Sequence, residues 1–265
     1  MRNFRVHLSG GHAVPPGPYA HLHALAVFAM APSAWRYRVA DEECVLDMDH
    51  LVLVNPLTAH APLPEAREGE TAPLLGVTLA HDFVAERVAG KRGVLAARPF
   101  GASRVRPSPE LRAMADRLAA VIADPASPDH AIAAATSDLA NGVIEAYATP
   151  TDAAGPAFDY RIRRAIQIAV ADPKRVATVE EMLAASELSR SRFFQLFREC
   201  TGLTPQMYID AHTIETAIDA LTRNDKPISR LARELGYGTP ERFARYIRRM
   251  TGVGPRDFRR AAIRI

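Results

Sequence analysis

Apolar residues recur every three or four positions through the last hundred residues of the chain, the spacing of helices that pack by one face. This spacing predicts a helix over 160–171, a short helix that begins at a Thr178/Glu181 capping box, and a third helix over 190–198. A tight turn separates the second helix from the third, and Ser189 is placed to cap the third. Two short helices joined in this way form a helix-turn-helix.

The same arrangement recurs further along the chain. A short helix is expected over 227–235 with Gly236 at its end, and Thr239 and Pro240 suit the cap and first turn of the next helix. An apolar stripe over 204–224 predicts a helix that connects the two units. Its length of about 30 Å is close to the distance between successive major-groove faces of B-DNA.

The first 150 residues have a different pattern. Their short apolar runs, separated by Pro and Gly, are typical of an antiparallel barrel or sandwich. Helical spacing returns over 108–148, where it predicts two helices in an antiparallel hairpin, and Thr149 to Pro156 has the composition of a linker. The strands are expected at residues 24–30, 35–39, 43–48 and 50–54.

Composition and charge narrow the class of protein. The chain is 48% hydrophobic and 24% charged, which is typical of a folded protein, and two cysteines, Cys44 and Cys200, are too few for a disulfide scaffold. No apolar run reaches the length of a membrane span and the N-terminus lacks a secretory pattern, so a cytoplasmic protein is expected. The net charge is −4 over residues 1–155 and +7 over 156–265, which favours a polyanionic partner for the second part.

The outward faces of the two second helices carry side chains suited to DNA. Arg and Gln pair with guanine and adenine edges, Glu accepts from cytosine, an apolar ring contacts the thymine methyl group, and further arginines hold phosphates. Packing against a neighbouring helix is the alternative for Phe194, and a solvated basic face is the alternative for the arginines. The expected DNA-binding residues are Ser189, Arg190, Ser191, Arg192, Phe194, Gln195, Arg198, Thr239, Glu241, Arg242, Arg245 and Arg248.

Three segments, at 202–209, 228–237 and 243–259, resemble the signature of the AraC/XylS family of bacterial transcriptional regulators. The resemblance covers about residues 160–262. It implies a seven-helix DNA-binding domain, double-stranded DNA and RNA polymerase as partners, and a homodimer. One segment departs from the family pattern: the connecting helix contains Asp210-Ala-His-Thr-Ile-Glu, in which arginine is missing where it is usual and acids lie nearby. The positions that contact bases in the family match Ser191, Phe194, Gln195, Glu241, Arg242 and Arg245.

Residues 50–60 are similar to the cupin-like barrel that precedes the DNA-binding domain in many members of the family. That likeness implies a small-molecule effector inside the barrel. The expected effector-binding residues are His21, His23, Trp35, Tyr37 and His60.

A metal site formed by the same histidines is an alternative, because His-x-His is a ligand spacing for zinc, iron or copper. The acid that metal-binding cupins carry shortly after the second His is missing here, and no metal or cofactor is expected. Without a Gly-x-Ser-x-Gly, Walker or dinucleotide-binding motif, no enzyme is expected either. The alternatives are a metal-dependent cupin enzyme fused to a DNA-binding module, or an interaction protein whose basic domain never contacts DNA specifically.

The expected fold is therefore α+β: a cupin-like antiparallel β-barrel with a helical hairpin, followed by an all-α domain with two helix-turn-helix units. The first domain is expected over 1–150, with the barrel over about 1–100, and the second over 157–265. The hairpin is expected to make the dimer, because its stripes look too large for one barrel to cover; packing of both stripes on the barrel is the alternative. The stripes are Leu111, Met114, Leu118, Leu139 and Val143.

Overall fold

The computed structural model has a β-rich N-terminal part and a helical C-terminal part. The expected linker lies outside the described residues except for Thr149. The structure describes residues 4–9, 18–32, 35–63, 73–89, 98–149, 159–170, 177–223, 225–251 and 254–261.

Two antiparallel sheets build the N-terminal part, as expected. The larger has the strand order β1-β7-β2-β5-β8, and the smaller has the order β4-β3-β6. Trp35 to Val39 alternates as predicted, with Tyr37 and Val39 buried and Arg38 exposed. The strands are β1 (Phe4–Ser9), β2 (Ala24–Ala29), β3 (Trp35–Val39), β4 (Glu42–Leu46), β5 (Leu51–Val54), β6 (His60–Pro62), β7 (Leu74–Leu79) and β8 (Arg104–Val105).

Among the described residues of the N-terminal part, three helices accompany the sheets: α1 (His81–Val88), α2 (Pro109–Ala123) and α3 (Asp129–Tyr147). The side chain of Ser108 caps α2 by accepting from the backbone N–H of Leu111 at 3.2 Å. The pair α2 and α3 is the predicted hairpin.

The reason given above for a dimer is wrong. The apolar stripes of α2 and α3 pack within the chain, on the larger sheet and on each other, in one core cluster. Leu118, Leu139 and Val143 have no exposed surface, and Met114 is partly buried in the same cluster. These stripes leave no large apolar face for a second copy.

Seven helices make up the described C-terminal part, in agreement with the family resemblance. The Thr178/Glu181 capping box is present, whereas the side chain of Ser189 makes no capping hydrogen bond. The helices are α4 (Tyr160–Val170), α5 (Val179–Ser186), α6 (Arg190–Thr201), α7 (Pro205–Arg223), α8 (Ile228–Glu234), α9 (Pro240–Thr251) and α10 (Pro255–Ala261).

Two apolar cores lie along the connecting helix α7. Its N-terminal half packs with α4, α5 and α6, and its C-terminal half packs with α8, α9 and α10. Each core is centred on fully buried aromatic rings, Phe193 and Phe197 in the first and Phe243 in the second. The connecting helix is therefore shared by both helix-turn-helix units.

Candidate DNA-binding surface and effector site

The first helix-turn-helix consists of α5 and α6. Glu187, in the left-handed region with φ 56°, ends α5 and lets the chain turn into α6. Phe193 and Phe197 face the core, so the opposite side of α6 faces solvent. That exposed side carries six of the seven residues predicted for this unit: Ser189, Arg190, Ser191, Arg192, Gln195 and Arg198.

Phe194 is the exception, because it is half-buried. Its ring meets Phe193 edge-on with 5.7 Å between centroids, and the guanidinium of Arg190 lies 5.3 Å from the ring centre. Packing within the domain, the alternative considered for Phe194, therefore accounts for part of its surface. Gln195 donates a hydrogen bond to Glu199 at 2.8 Å, which orients its amide along the outer face of α6.

The second helix-turn-helix consists of α8 and α9. Gly236 follows α8 with φ 79°, and the N–H of Tyr237 donates back to the carbonyl of Ala232 at 2.8 Å. This is the chain reversal for which a glycine is favoured. Thr239 caps α9 as predicted, by accepting from the N–H of Arg242 at 3.3 Å.

The outer face of α9 is basic and open. Thr239, Glu241, Arg242, Arg245 and Arg248 are all exposed, as predicted. Within the described part of the chain, Arg242 and Arg245 have no acidic partner within ion-pair distance. Arg190 differs from them, because it lies 3.5 Å from Glu180, and this carboxylate would compete with DNA for its guanidinium group.

The acids of the connecting helix have structural partners. Asp210 receives Arg249 of α9 at 3.3 Å, and the hydroxyl of Tyr246 donates to the carbonyl of Asp210 at 3.1 Å. Burial raises the pKa of the Asp210 carboxyl, and Arg249 acts against that rise. Asp210 thus connects the connecting helix to α9.

The N-terminal part also contacts the connecting helix. Ala20 is buried in the core of the first helix-turn-helix, with Leu22 packed against it. The imidazole Nε2 of His23 lies 3.4 Å from the carboxylate of Glu215. The chain bends before β2 begins, so the ring of His23 faces α7, and its role with an effector stays a prediction.

The remaining histidines lie together beside the smaller sheet. The rings of His21 and His60 meet edge to face at 4.4 Å, and Tyr19 meets His60 in the same way at 4.5 Å. Tyr37 is buried on the neighbouring strand β3. Three of the five predicted effector residues, His21, Tyr37 and His60, are therefore neighbours, and Trp35 lies on the same side of β3 as Tyr37.

The sequence analysis missed Tyr19. Its signal is the alternation of Tyr19-Ala-His-Leu, in which Tyr19 and His21 face His60 while Ala20 and Leu22 face the helical core.

His60 is a buried neutral base. It is 1% exposed, and its Nδ1 lies 3.0 Å from the carbonyl of Thr58. Burial, with the neighbouring His21, lowers the pKa of His60 well below its ordinary value. Burial also raises the pKa of Tyr37 to about 12, and the pKa of Tyr19 is raised as well, so both phenols keep their protons.

The chain should lose stability in mild acid because of His60. Below the ordinary pKa of 6.5, the unfolded chain takes up a proton that the folded chain does not, so the free energy of unfolding falls as the pH decreases. Burial lowers the pKa of His212 too, so it contributes in the same direction. We expect the melting temperature to fall below about pH 6.5. His60→Gln should flatten that fall, whereas substitution of the exposed His130 should not; equal pH profiles for all three proteins would contradict the assignment.

The described residues offer neither a metal site nor a membrane-spanning helix. They contain no group of three or more His, Cys, Asp or Glu side chains placed to hold a metal ion. None of the described helices combines the length and apolarity that crossing a membrane requires.

The comparisons with known proteins agree with this geometry. A family model described as a helix-turn-helix domain matches residues 182–261. The probable transcriptional regulator LumQ of Photobacterium leiognathi is 28% identical over 78 residues, 29% of this chain and 32% of LumQ. RclR of Escherichia coli K12, an RCS-specific HTH-type transcriptional activator, is 28% identical over 99 residues, 37% of this chain and 35% of RclR. The chain thus matches about a third of the length of these curated relatives.

The whole fold has a counterpart among solved structures. ToxT from Vibrio cholerae O395 has a TM-score of 0.56 at 10% sequence identity, covering 99% of this chain and 98% of ToxT. This likeness shows that both parts of the chain share that fold. Through its motifs, its duplicated helix-turn-helix geometry and these relatives, the C-terminal part of the chain is similar to AraC-like transcriptional regulators.

Proposed function

We propose that the chain binds specific DNA sequences through α6 and α9 and regulates transcription in response to a small molecule held by its N-terminal domain. The observation that carries the DNA-binding proposal is that α6 and α9 each have an exposed polar face and that both helices pack on α7. An α7 of 19 residues is about 28 Å long, which suits two successive major-groove segments on one side of DNA.

The two helix-turn-helix units make different contributions to DNA binding in this proposal. Arg242 and Arg245 contact bases or phosphates from the open face of α9, and Glu241 contributes an acceptor. On α6, Ser191 and Gln195 contact base edges, and Arg190, Arg192 and Arg198 hold phosphates. Glu180 near Arg190 weakens that contact, so the second unit supplies more of the salt-dependent affinity.

The cluster of Tyr19, His21, Tyr37 and His60 supports the effector part of the proposal. The Nε2 of His60 is buried without a hydrogen-bond partner among the described residues, and such a group is costly in a core that serves stability alone. ToxT, whose fold is similar, has been solved as an unsaturated fatty acid-bound protein, so a small ligand is compatible with this fold. The proposal also includes a cytoplasmic location, a homodimer and contact with RNA polymerase, which rest on the family.

A fragment experiment separates the two parts of the proposal. A fragment of residues 159–265 keeps both apolar cores and the shared helix, so it should fold. It loses the cover that Ala20 and Leu22 give, and so should be less stable than the same domain in the full chain. We expect it to select the same DNA half-site as the full chain in gel-shift titrations, with a comparable salt slope. A folded fragment with no sequence preference would show that the N-terminal part takes part in DNA recognition.

A further inference from the structure

We propose that the effector is a neutral aromatic molecule that carries a hydroxyl group, of the phenol class, and that it binds where Trp35, Tyr37 and His60 share one face of the smaller sheet. We call this surface, with Tyr19 and His21 beside it, the aromatic face. The inference rests on the proposed effector function and gives the effector a chemical class.

Strand pairing brings the residues of the aromatic face together. Successive side chains of β3 alternate, so Trp35, Tyr37 and Val39 lie on one side. Val39 pairs directly with His60 of β6, and directly opposed residues share a face. The segment before β2 joins them through the Tyr19–His60 backbone bridge. The aromatic face is therefore fixed by the sheet and by a strand-like bridge.

Two buried polar atoms on this face lack partners among the described residues. The Nδ1 of His60 faces a carbonyl oxygen, which requires that Nδ1 carries the proton and leaves Nε2 with a lone pair. That Nε2 is buried without a hydrogen-bond partner in the described part of the chain, as is the indole Nε1 of Trp35. One is an acceptor and the other a donor. A hydroxyl group both donates and accepts, so a hydroxyl-bearing ligand suits either atom.

The surroundings of Tyr37 and His60 are poorly suited to an anion. Burial keeps His60 neutral and keeps the phenols of Tyr19 and Tyr37 protonated. The arginines of β3 are on the opposite side of the strand, where Arg36 and Arg38 lie 2.5 and 2.8 Å from Glu43. A carboxylate or phosphate bound beside Trp35, Tyr37 and His60 would lose its water without gaining a cation from these three side chains. A neutral ring loses little and gains contact with other rings.

The single tryptophan makes the test direct, since Trp35 is the only one in the chain. Its emission in the full-length protein should change saturably with 4-methylphenol, which is neutral at pH 7. The matched carboxylate, 4-methylbenzoate, should bind at least about tenfold more weakly, because one unmet charge costs more than the 1.4 kcal/mol of a tenfold change. Equal or tighter binding of the carboxylate, or no saturable change with the phenol, would overturn the proposal.

Two matched variants locate the ligand. The side-chain nitrogen of His60→Asn can still donate to the Thr58 carbonyl but leaves no acceptor at the position of Nε2, so 4-methylphenol should bind about tenfold more weakly. His60→Gln places an amide near the lost Nε2 and should retain most of the affinity. His130→Asn, on an exposed part of α3, serves as the control. Unchanged affinity in a folded His60→Asn protein would also refute the site.

A third variant, at position 35, still tests the site if the substitutions at position 60 prevent folding. Trp35→Phe keeps an aromatic ring and removes the indole N–H, and its phenol affinity, measured by calorimetry, should fall by a similar factor. DNA binding measured on the same preparations separates the two proposals. Specific DNA binding together with failure of the phenol would reject the ligand class alone, whereas loss of sequence preference in the unaltered protein would reject the regulator.

Discussion

Replacing both Arg242 and Arg245 by alanine should weaken specific DNA binding at least about a hundredfold. Both side chains are exposed on α9 and have no acidic partner among the described residues, so they are available to the DNA. A good arginine–base contact contributes about 1–3 kcal/mol, so the loss of two such contacts accounts for a change of this size. Each single variant should lose about tenfold or more and relax the preference at one base position. The measurement is a gel-shift titration on a selected site at fixed salt concentration.

Arg117→Ala is the matched control for this result. Arg117 is exposed on α2, in the N-terminal part, and has no place in the proposed DNA surface. Its removal should leave the DNA affinity within about twofold of that of the unaltered protein, since one distant charge has little effect at ordinary salt concentration. If Arg117→Ala and Arg242→Ala lose the same affinity, diffuse charge and not the face of α9 drives binding.

Phe197→Ala should destabilise the first helix-turn-helix by about 3–5 kcal/mol. The ring of Phe197 is fully buried, 5.6 Å from Phe193 and edge to face with Tyr208 of α7 at 5.7 Å. It therefore joins α6 to the connecting helix. A loss of this size is a large part of a domain's total stability, so DNA binding should fail as well. Urea unfolding followed by circular dichroism should show an early transition in the variant.

Phe194→Ala provides the comparison within the same helix. Phe194 is only half-buried, so the stability loss should be clearly smaller than for Phe197. DNA affinity should fall chiefly at sites with a thymine opposite this position, because the ring would contact the thymine methyl group. An equal stability loss for both phenylalanines would mean that Phe194 is a core residue without a role at the DNA.

The helix ends of the two helix-turn-helix units could be predicted well because they depend on local chemistry. Thr178 with Glu181, Thr239 and Gly236 each act within one helical turn, and the structure uses all of them at helix ends. Ser189 was the exception, since the helix begins there without the side-chain hydrogen bond. Local patterns therefore located the helices more reliably than the details of their caps.

The sheets were harder to predict because their strands depend on distant partners. β7 lies between β1 and β2 and pairs with both, and neither partner is near it in the sequence. The residue Gly76 within it also weakened the strand pattern. Neither β1 nor β7 was predicted, although β7 is central to the larger sheet.

Distant partners also decide the candidate effector site. His21 and His23 are two positions apart, but a bend before β2 sends His23 to Glu215 on α7, a carboxylate that no local pattern connects to it. The hairpin stripes show the same limit: the sequence reports how much apolar surface Leu118 and Leu139 carry, and only the folded chain shows the core that they fill.

Selection of binding sites from random double-stranded DNA by the full-length protein tests the central claim most directly. The account predicts enrichment of a motif with two short conserved blocks whose centres lie about one helical turn, 10–10.5 base pairs, apart. The Arg242→Ala and Arg245→Ala proteins should lose conservation in one block only. Recovered sequences with no enriched motif, from protein that still binds DNA in a salt-dependent way, would contradict the account and leave the C-terminal domain as a nonspecific basic surface.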